Sequence, residues 1–544
     1  MQLITAASLW AIVLSLGDAS AKEAAAPSAT KPSLAPVVSN LAYSQPIINI
    51  PALGRTHPKF VPTSSLVANA SVPVTFEHSV ASGDPTANAV IIWTKITTKD
   101  TNPVPVQYQV ASTADFSQIV STGVLLTDAS VDHTVKLDIT GLQPGTTYYY
   151  RFTTSSGSVT SPVGKTHTLP AADASVASYK LAVVSCSSLP HGFFNAYAGI
   201  GNRKDVDVVL HLGDYIYEYK NGGYGDGSKI GRIPQPDKDI TSLDDYRQRH
   251  AQYKRDVDLQ AAHLNVPWVT VWDDHEFAND AWHDGAQHHD PKTEGPWETR
   301  KANAIRAYFE YMPIRPVTID QTGHIYRSFQ VGKLLDLIML DTRINGRNET
   351  DIFWPWIKND PKRTILGYDQ EAWLDQQLVQ SKNRGAKWRV LGNQVVFTPL
   401  KVVGASILLD SWDDYPAARD RLLTSMASNG IKDTVILTGD IHTAFAINAP
   451  GKAGASGLVE LVTTSVTSPG AGAIGAGALK LANKSIKYAN GADHGYLVTT
   501  ITPEKVTGEF VMVSTIGSRT ATEKVDATVV TNAGAGTISD LQRH

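Results

Sequence analysis

The sequence predicts an α/β protein with a small all-β domain ahead of it. Between residues 72 and 172, short alternating strands such as VIIWTKI and TYYYRFTT are separated by Gly, Pro and Asp turns, as in a β-sandwich. From Tyr179 onward, apolar strands alternate with long amphipathic segments, at 243–265, 297–312, 370–384 and 416–429. That alternation is typical of a layered α/β domain. A length of 544 residues also requires more than one ordinary core.

Residues 1–21 are predicted to be a signal peptide. An apolar run from Leu3 to Leu16 precedes Ala19-Ser20-Ala21, the small-x-small pattern of signal peptidase sites, and it is too short to span a membrane stably. Residues 22–71 follow as an Ala/Pro/Ser-rich segment without structure of its own. We therefore expect a secreted protein, extracellular or in a cell-wall or periplasmic space, with no membrane span.

The composition limits the partners of this protein. A formal net charge of -4 provides no basic surface for nucleic acid, so no nucleic-acid-binding module is expected. Cys186 is the single cysteine, and it is either a small buried apolar side chain or a metal-bound thiolate. Sequons at Asn69, Asn348 and Asn483 allow N-glycans. The sequence does not indicate an oligomeric state.

The two domains have predictable boundaries. In the β-sandwich, residues 72–172, the segment 141–146 before Tyr148 has the pattern of the tyrosine corner of fibronectin type III-like sandwiches, which is an architectural feature. We expect an α/β domain at 178–515 and a C-terminal tail at 516–544. Within the α/β domain, the Gly-rich stretch 221–236 and the Gly/Ala stretch 468–478 are interpreted as flexible loops at its rim.

Six apolar strands of the α/β region end in residues that could bind a metal or a phosphate. One strand that ends in such a residue is ordinary. Six strands that do so would be an unusual coincidence if these residues only solvated the strand ends. Since the carboxyl ends of parallel strands share one rim, these residues are expected to converge there. The six ends are Cys186, Asp214, Asp273 to Glu276, Asp341 to Arg343, Asn393-Gln394, and Asp440 to His442.

Asp214 and Tyr217, within HLGDYIYEY, lie at the centre of this arrangement. They are two hard oxygen ligands that could reach one highly charged cation, and ferric iron favours phenolate. Taken alone, the segment is equally consistent with a strand ending in a solvated Asp, with an aromatic residue behind it.

The ordered blocks along the chain resemble the PhoD-like (alkaline phosphatase D) family of the metallophosphoesterase superfamily. The resemblance rests on Ser185-Cys186, Gly213-Asp214-x-x-Tyr217, Trp272 to Glu276, Asn279-Asp280 and Gly439-Asp440-x-His442, preceded by a β-sandwich. It implies a four-layer α/β/β/α sandwich, phosphate-ester substrates, and a site of ferric iron (Fe3+) with calcium (Ca2+). By the same resemblance, Asp214 bridges the metals; Cys186, Tyr217 and His442 complete the iron side; and Asp274, Asn393 and Asp440 serve calcium.

The chain departs from the wider superfamily at two blocks. The first block usually reads Asp-x-His, where Ser185-Cys186 stands here, and the last usually reads Gly-His-x-His, where Asp440 replaces the first His. Both changes remove or exchange imidazoles that would favour zinc or manganese. Bacterial members often carry a twin-arginine signal, which this sequence lacks.

The expected activity is hydrolysis of phosphodiesters and phosphomonoesters by attack of a metal-bound water. His275 is the candidate to protonate the leaving oxygen, unless it only orients Asp274 or Glu276. Arg343 either clamps a phosphate oxygen or forms a structural salt bridge. Two alternatives stay open: a zinc or manganese enzyme of narrower specificity, such as a nucleotidase, and a non-catalytic secreted binding protein.

Overall fold

The computed structural model describes residues 38–43, 73–154, 157–316, 324–350, 357–406, 408–452 and 457–544. The predicted signal peptide, most of the segment 22–71 and the sequon at Asn69 lie outside these residues. Within the described ranges, no helix combines the length and the apolar character needed to cross a membrane.

Seven strands form the N-terminal β-sandwich. Strands β3, β4, β6 and β7 make a four-stranded antiparallel sheet that faces β1, β2 and β5 across an apolar core. The expected tyrosine corner is present, since the hydroxyl of Tyr148 accepts a hydrogen bond from the backbone N–H of Gln143 at 2.9 Å. The strands are β1 Val80–Gly83, β2 Ala89–Lys95, β3 Val104–Ala111, β4 Ile119–Thr127, β5 Thr134–Thr140, β6 Thr147–Thr154 and β7 Gly164–His167.

A short part of the segment 22–71 is folded onto this sandwich, in contrast to the expected lack of structure. Asn40 is buried, and its amide nitrogen donates to the carbonyl of Thr134 at 2.9 Å. Its side-chain oxygen accepts from the N–H of Lys136 at 3.0 Å. The Asn40 side chain thus occupies backbone positions of β5 that a neighbouring strand would otherwise fill.

The remainder of the chain alternates strands and helices. The strands at residues 179–184 and 208–211 are mostly apolar and almost wholly buried because they are covered on both faces. In order, the elements are β8 Tyr179–Val184, α1 Asn195–Asn202, β9 Val208–His211, α2 Leu243–Lys254, α3 Val257–Asn265, β10 Trp268–Thr270, β11 Ala281–Trp282, β12 Gly285–Ala286, α4 Pro291–Glu294, α5 Trp297–Tyr311, β13 Arg327–Val331, β14 Leu335–Met339, α6 Tyr368–Asn383, β15 Trp388–Asn393, β16 Lys401–Val402, β17 Ala405–Ser406, α7 Pro416–Ser428, β18 Thr434–Thr438, β19 Ala444–Ala449, β20 Leu458–Val462, α8 Gly472–Ala482, β21 Ile486–Asn490, β22 Gly495–Ile501, β23 Lys505–Val513, β24 Glu523–Asn532 and β25 Asp540–Arg543.

Two large sheets pack face to face and confirm the four-layer arrangement. The first has the order β25-β24-β23-β22-β8-β9-β10-β1-β2-β5, and the second β13-β14-β15-β18-β20-β19-β21. One apolar core joins both sheets to α1, α2, α3 and α5, while α6 and α7 cover the outer face of the second sheet. The layers are therefore helix, sheet, sheet, helix.

Four features differ from the sequence-based expectations. The first sheet runs through both predicted domains, because β1 pairs with β10 in parallel. The helical segment 243–265 is two helices, since the Asp256 carboxylate caps the start of α3. The Gly/Ala stretch 468–478 contains the start of α8 rather than a loop. The expected C-terminal tail supplies β24 and β25, which extend the edge of the first sheet.

The sequon at Asn483 is buried inside the fold. Its amide nitrogen, the atom that would carry a glycan, donates to the carbonyl oxygens of Lys401 at 3.0 Å and Leu479 at 2.9 Å. Asn348 is exposed. Of the two described sequons, only Asn348 is therefore accessible for modification.

Candidate metal centre

Parallel strands from both sheets end at one level. In the first sheet Val184 pairs with His211 and His211 with Thr270, so the residues that follow β8, β9 and β10 emerge together. In the second sheet Met339, Gly392 and Leu437 are in register across β14, β15 and β18. The segments after these strands form the candidate site.

The backbone at this rim turns sharply in the segments that follow the strands. Several non-glycine residues adopt the left-handed region there, which L-residues other than Asn and Asp seldom do. They are Cys186 (φ 61°), Asp214 (φ 55°), Asp280 (φ 51°), Asp440 (φ 67°) and His442 (φ 55°). Such conformations cost free energy and concentrate at functional sites.

Two glycines allow the segments to approach one another. A Cβ at Gly213, whose φ is 102°, would lie 2.4 Å from Cβ of Asp273. A Cβ at Gly439 would lie 2.8 Å from Cβ and Oγ of Ser185. The glycine before each Asp of the Gly-Asp blocks is therefore required by contact between loops.

One donor cluster contains Cys186, Asp214, Tyr217 and His442. Ligand atoms of Cys186, Asp214 and His442 all lie within 4.8 Å of one another. The Tyr217 hydroxyl donates to Oδ2 of Asp214 at 2.9 Å and lies 3.3 Å from Nε2 of His442. The four residues predicted for the iron side thus converge.

The backbone carbonyl of Pro469 fixes the orientation of His442. Nδ1 of His442 lies 3.1 Å from this oxygen, so Nδ1 carries the proton and Nε2 is left as a bare acceptor facing Tyr217. This is the arrangement of a metal-binding histidine, whose second nitrogen is held by a neighbouring acceptor.

A second donor cluster consists of carboxylates. Oxygens of Asp273, Asp274 and Asp440 lie within 4.8 Å of one another, as do those of Asp274, Asp280 and Asp410. Asp274 also joins Asp214 and His275 in a third group of the same size. Asp214 and Asp274 are therefore adjacent and connect the two clusters.

Arg343 is fully buried among these carboxylates. Its guanidinium contacts Asp273, lies 2.5 Å from Oδ2 of Asp410 and 3.4 Å from Oδ1 of Asp274, and reaches Oδ1 of Asp440 at 3.5 Å. Of the two roles considered from the sequence, the structural salt bridge is the one that these contacts describe.

Burial dominates the electrostatics of the candidate donors. Burial and then the neighbouring carboxylates raise the pKa of Asp214 well above its usual value, against the charge of His275, and the pKa of Cys186 is raised for the same two reasons. Burial also lowers the pKa of His442 to about 3, so its imidazole is neutral. A cation among these groups would reverse the shifts of the acids, because it favours the ionised form of every donor.

The donor set fits a metal on a further observation. Within the described ranges, Oδ1 of Asp214 and Oδ2 of Asp273 are buried and have no hydrogen-bond partner. Buried carboxylate oxygens normally accept hydrogen bonds or bind cations, so both atoms are available as ligands.

His275 lies beside the clusters and is held by Glu218. Its Nδ1 lies 2.8 Å from Oε2 of Glu218, which leaves Nε2 for the site. Burial opposes protonation, but the charges of Asp274, Glu218 and Asp214 raise the pKa of His275 well above its usual value. Its ring stacks on that of Tyr217, with centroids 4.2 Å apart, so it is fixed on two sides.

Glu276 joins the loops that follow β9 and β10. Its carboxylate accepts three backbone N–H bonds, from Asp214 at 3.0 Å, Tyr215 at 2.5 Å and Asp273 at 2.7 Å. The side chain therefore sets the positions of Asp214 and Asp273 through their backbone.

Asn393 is placed differently from the other predicted ligands. Its side-chain oxygen accepts the indole N–H of Trp412 at 3.0 Å, and its amide nitrogen donates to the carbonyl of Val395. This hydrogen bond leaves one lone pair of the Asn393 oxygen for a cation. In this conformation the amide belongs to the packing between β15 and the segment before α7.

Several site residues were not assigned a role from the sequence. Glu218 lies within HLGDYIYEY and Asp280 belongs to a block noted in the resemblance, whereas Asp410 comes from a segment without a strand-end signal. The stretch 221–236, expected to be a flexible loop, supplies Tyr224, whose ring stacks on that of Tyr217 at 5.5 Å. It therefore covers one side of the site.

Comparisons with known proteins agree with this geometry. Residues 181–510 match the family described as PhoD-like phosphatase, and residues 62–170 match its N-terminal domain. The chain is 37% identical over 454 residues to alkaline phosphatase D of Bacillus subtilis (strain 168), covering 79% of this chain and 76% of that protein. It also resembles the solved structure of PhoD, with a TM-score of 0.78 and 34% identity over 87% of this chain and 92% of the other.

Proposed function

Because this chain belongs to the PhoD-like phosphatase family, we propose that it is a secreted, metal-dependent phosphohydrolase that cleaves phosphodiesters and phosphomonoesters. The observation that supports this most strongly is the convergence of thiol, phenol, imidazole and carboxylate donors at one rim. Secretion rests on the predicted signal peptide.

The donor types separate into two proposed metal positions. Cys186, Tyr217 and His442, with Asp214, would hold Fe3+, since thiolate, phenolate and imidazole suit that ion. Asp274 and Asp440, again with Asp214, would hold Ca2+, which prefers oxygen ligands. Asn393 would join the calcium side through the second lone pair of its side-chain oxygen, which also accepts the indole N–H of Trp412.

When bound, the cations would supply an acidified water nucleophile and neutralise charge on the phosphate oxygens. The residues of the chain supply the rest. His275 donates a proton from Nε2 to the leaving oxygen, and Glu218 keeps the imidazole oriented for this by accepting from Nδ1. Arg343 acts as a positioning residue, since it holds Asp273, Asp274 and Asp440 at fixed distances while offsetting their mutual repulsion.

Metal analysis combined with rate measurements tests this proposal. Protein purified without added metal is analysed for iron, calcium, zinc and manganese, and then assayed with a nitrophenyl diester and the matching monoester, with and without chelator. We expect iron and calcium, with hydrolysis that the chelator abolishes. Zinc or manganese instead would favour the narrower enzyme, and a metal-replete protein that hydrolyses neither ester would favour the non-catalytic binding protein.

The variant Asp214→Asn tests the same metal dependence without a chelator, by removing one proposed ligand. Replacing the proposed bridging carboxylate should lower the content of both metals together, whereas Asp274→Asn should lower calcium while retaining iron. Equal metal content in wild type and Asp214→Asn would contradict the proposed bridging role.

A further inference from the structure

One face of the α/β domain exposes several large apolar side chains together. On α8, Ile474 is 91% exposed and Leu481 is 88% exposed. On the hairpin of β16 and β17, Val403 is 100% exposed and Val402 is 38% exposed. We call the surface formed by α8 and this hairpin the apolar face.

The apolar side chains share one side of α8. Ile474 and Leu481 are seven residues apart, which places them on the same stripe of a helix about two turns apart. The opposite side of α8 packs inward through Ala476, which is buried, and Leu479, which is partly buried against the neighbouring core. The outward stripe is therefore additional to the side that stabilises the fold.

Asn483 attaches the hairpin to the end of α8. Its side-chain oxygen accepts from the N–H of Lys401 at 2.9 Å, and its amide nitrogen donates to the carbonyl of the same residue at 3.0 Å. Val402 and Val403 are consequently held beside the C-terminal end of the helix. The apolar face is a fixed surface formed by two elements.

The tip of the hairpin is unusual in conformation as well as exposure. Val403 has φ of 51° ahead of Gly404 at 83°, as in a tight two-residue turn. A β-branched residue at positive φ is a rare outlier, and Asn or Asp would fit this position at less cost. The turn therefore presents an apolar side chain where a polar one would be favoured in water.

The charged residues within the segments that carry the apolar face are all basic. Segments 401–406 and 471–490 contain Lys401, Lys480, Lys484 and Lys487 and no Asp or Glu. The chain as a whole has 48 Lys and Arg against 52 Asp and Glu, so this local excess of positive charge runs against the overall balance.

The apolar face adjoins the candidate metal centre. The carbonyl of Pro469 holds His442, and the N–H of Ala471 donates to the hydroxyl of Thr443 at 3.1 Å. Helix α8 begins at the next residue, Gly472. A partner bound at this face would therefore lie next to the segment that positions a proposed iron ligand.

We propose that the apolar face docks onto an anionic lipid surface. Apolar side chains surrounded by lysines are the combination that binds to the boundary between headgroups and acyl chains. A second copy of the chain fits less well, because a symmetric contact through this face would bring its lysines against one another.

Vesicle binding tests the proposal. Full-length protein is floated with vesicles of phosphatidylcholine alone and of phosphatidylcholine mixed with phosphatidylglycerol, at low and high salt. We expect binding to the anionic vesicles, weakened by salt. The double variants Ile474→Asp/Leu481→Asp and Lys480→Glu/Lys484→Glu should each bind on the order of tenfold more weakly or worse.

Ile119→Asp/Val120→Asp is the matched control. These side chains of the β-sandwich are 44% and 50% exposed and lie outside the apolar face, so their replacement should leave binding unchanged. Equal binding by wild type and the apolar-face variants, or no binding of the wild type to either vesicle, would overturn the proposal. So would a wild type that forms dimers which the same variants abolish.

This proposal does not depend on the proposed catalysis. None of the substituted residues belongs to the donor clusters, so all variants should hydrolyse a soluble diester at the wild-type rate. A wild type that binds vesicles but hydrolyses no ester would refute the proposed function and leave the docking surface in place.

Discussion

Replacing Glu218 with Gln tests whether His275 delivers a proton to the leaving oxygen. Both side chains are buried. Oε2 of Glu218 lies 2.8 Å from Nδ1 of His275, and Oε1 accepts the N–H of Asn279 at 2.8 Å. Glutamine offers only one acceptor oxygen, so one of these two donors must lose its partner, and the negative charge beside the imidazole is removed as well.

The size of the effect follows from these contacts. Removing a partner that orients an active-site group typically costs about 10- to 100-fold in activity, or about 1.4 to 2.7 kcal/mol. Leaving one buried N–H without an acceptor should lower the free energy of unfolding by about 1–3 kcal/mol. Removing the imidazole itself, in His275→Ala, should cost about 10²- to 10⁴-fold if it acts as the general acid.

Two diesters with different leaving groups provide the assay. A nitrophenolate leaves without protonation, whereas an alkoxide requires it, so kcat/KM should fall much further for the alkyl diester in both variants. Glu294→Gln is the matched control, because Glu294 forms a similar pair with His289 at 3.2 Å outside the donor clusters. Equal losses with the two leaving groups would refute proton donation and reduce His275 to a residue that orients its neighbours.

Three further predictions concern the iron ligand, the loop contact and a buried lysine. Tyrosinate bound to ferric iron absorbs visible light, so the pure protein should be coloured. Tyr217→Phe should remove this absorption, whereas Tyr215→Phe should not. A colourless, iron-replete wild type would contradict the assignment of Tyr217 as an iron ligand. In urea unfolding, Gly213→Ala should lower the free energy of unfolding far more than Gly222→Ala. Both glycines have positive φ, but only at Gly213 would the new Cβ meet Asp273. Equal losses of stability in the two variants would show that this contact is unimportant. Burial, against Asp84 and Glu310, lowers the pKa of Lys136 to about 7. The unfolded state keeps that proton up to about pH 10.4, whereas the folded state loses it near pH 7. Between these two pH values the free energy of unfolding should therefore rise with pH, by up to about 1.4 kcal/mol per pH unit. Lys136→Met should flatten this slope.

The sequence predicts much of the site because most of its donors follow strands directly. Cys186, Asp214 and Asp440 each come within two residues of a strand or its closing glycine, and strand register brings them to one level. A run of apolar residues that ends in a polar one can be recognised in the local sequence. These donors can therefore be found without knowing how the two sheets pack.

The remaining residues depend on contacts that no local pattern encodes. Asp410 reaches the carboxylates from the segment before α7, through its ion pair with Arg343. Asn393 has the position of a strand-end ligand, yet the indole of Trp412 engages its oxygen. The left-handed backbone at Cys186 is likewise not encoded by residue preference, since cysteine seldom adopts this region.

The balance of charge at the site argues that metal binding and folding are linked. Arg343 and Arg347 are buried beside Asp273, Asp274, Asp410 and Asp440, and Asp214 lies within the same connected clusters. Two guanidinium groups and the His275 imidazolium cannot neutralise all five of these buried or half-buried carboxylates, so the apo protein keeps some of them protonated. Cations at the proposed positions would supply the missing charge and would bind the folded state alone, because donors from both sheets meet only there. Metal loading should therefore raise the midpoint of thermal unfolding, and chelation should lower it more in the wild type than in Asp214→Asn.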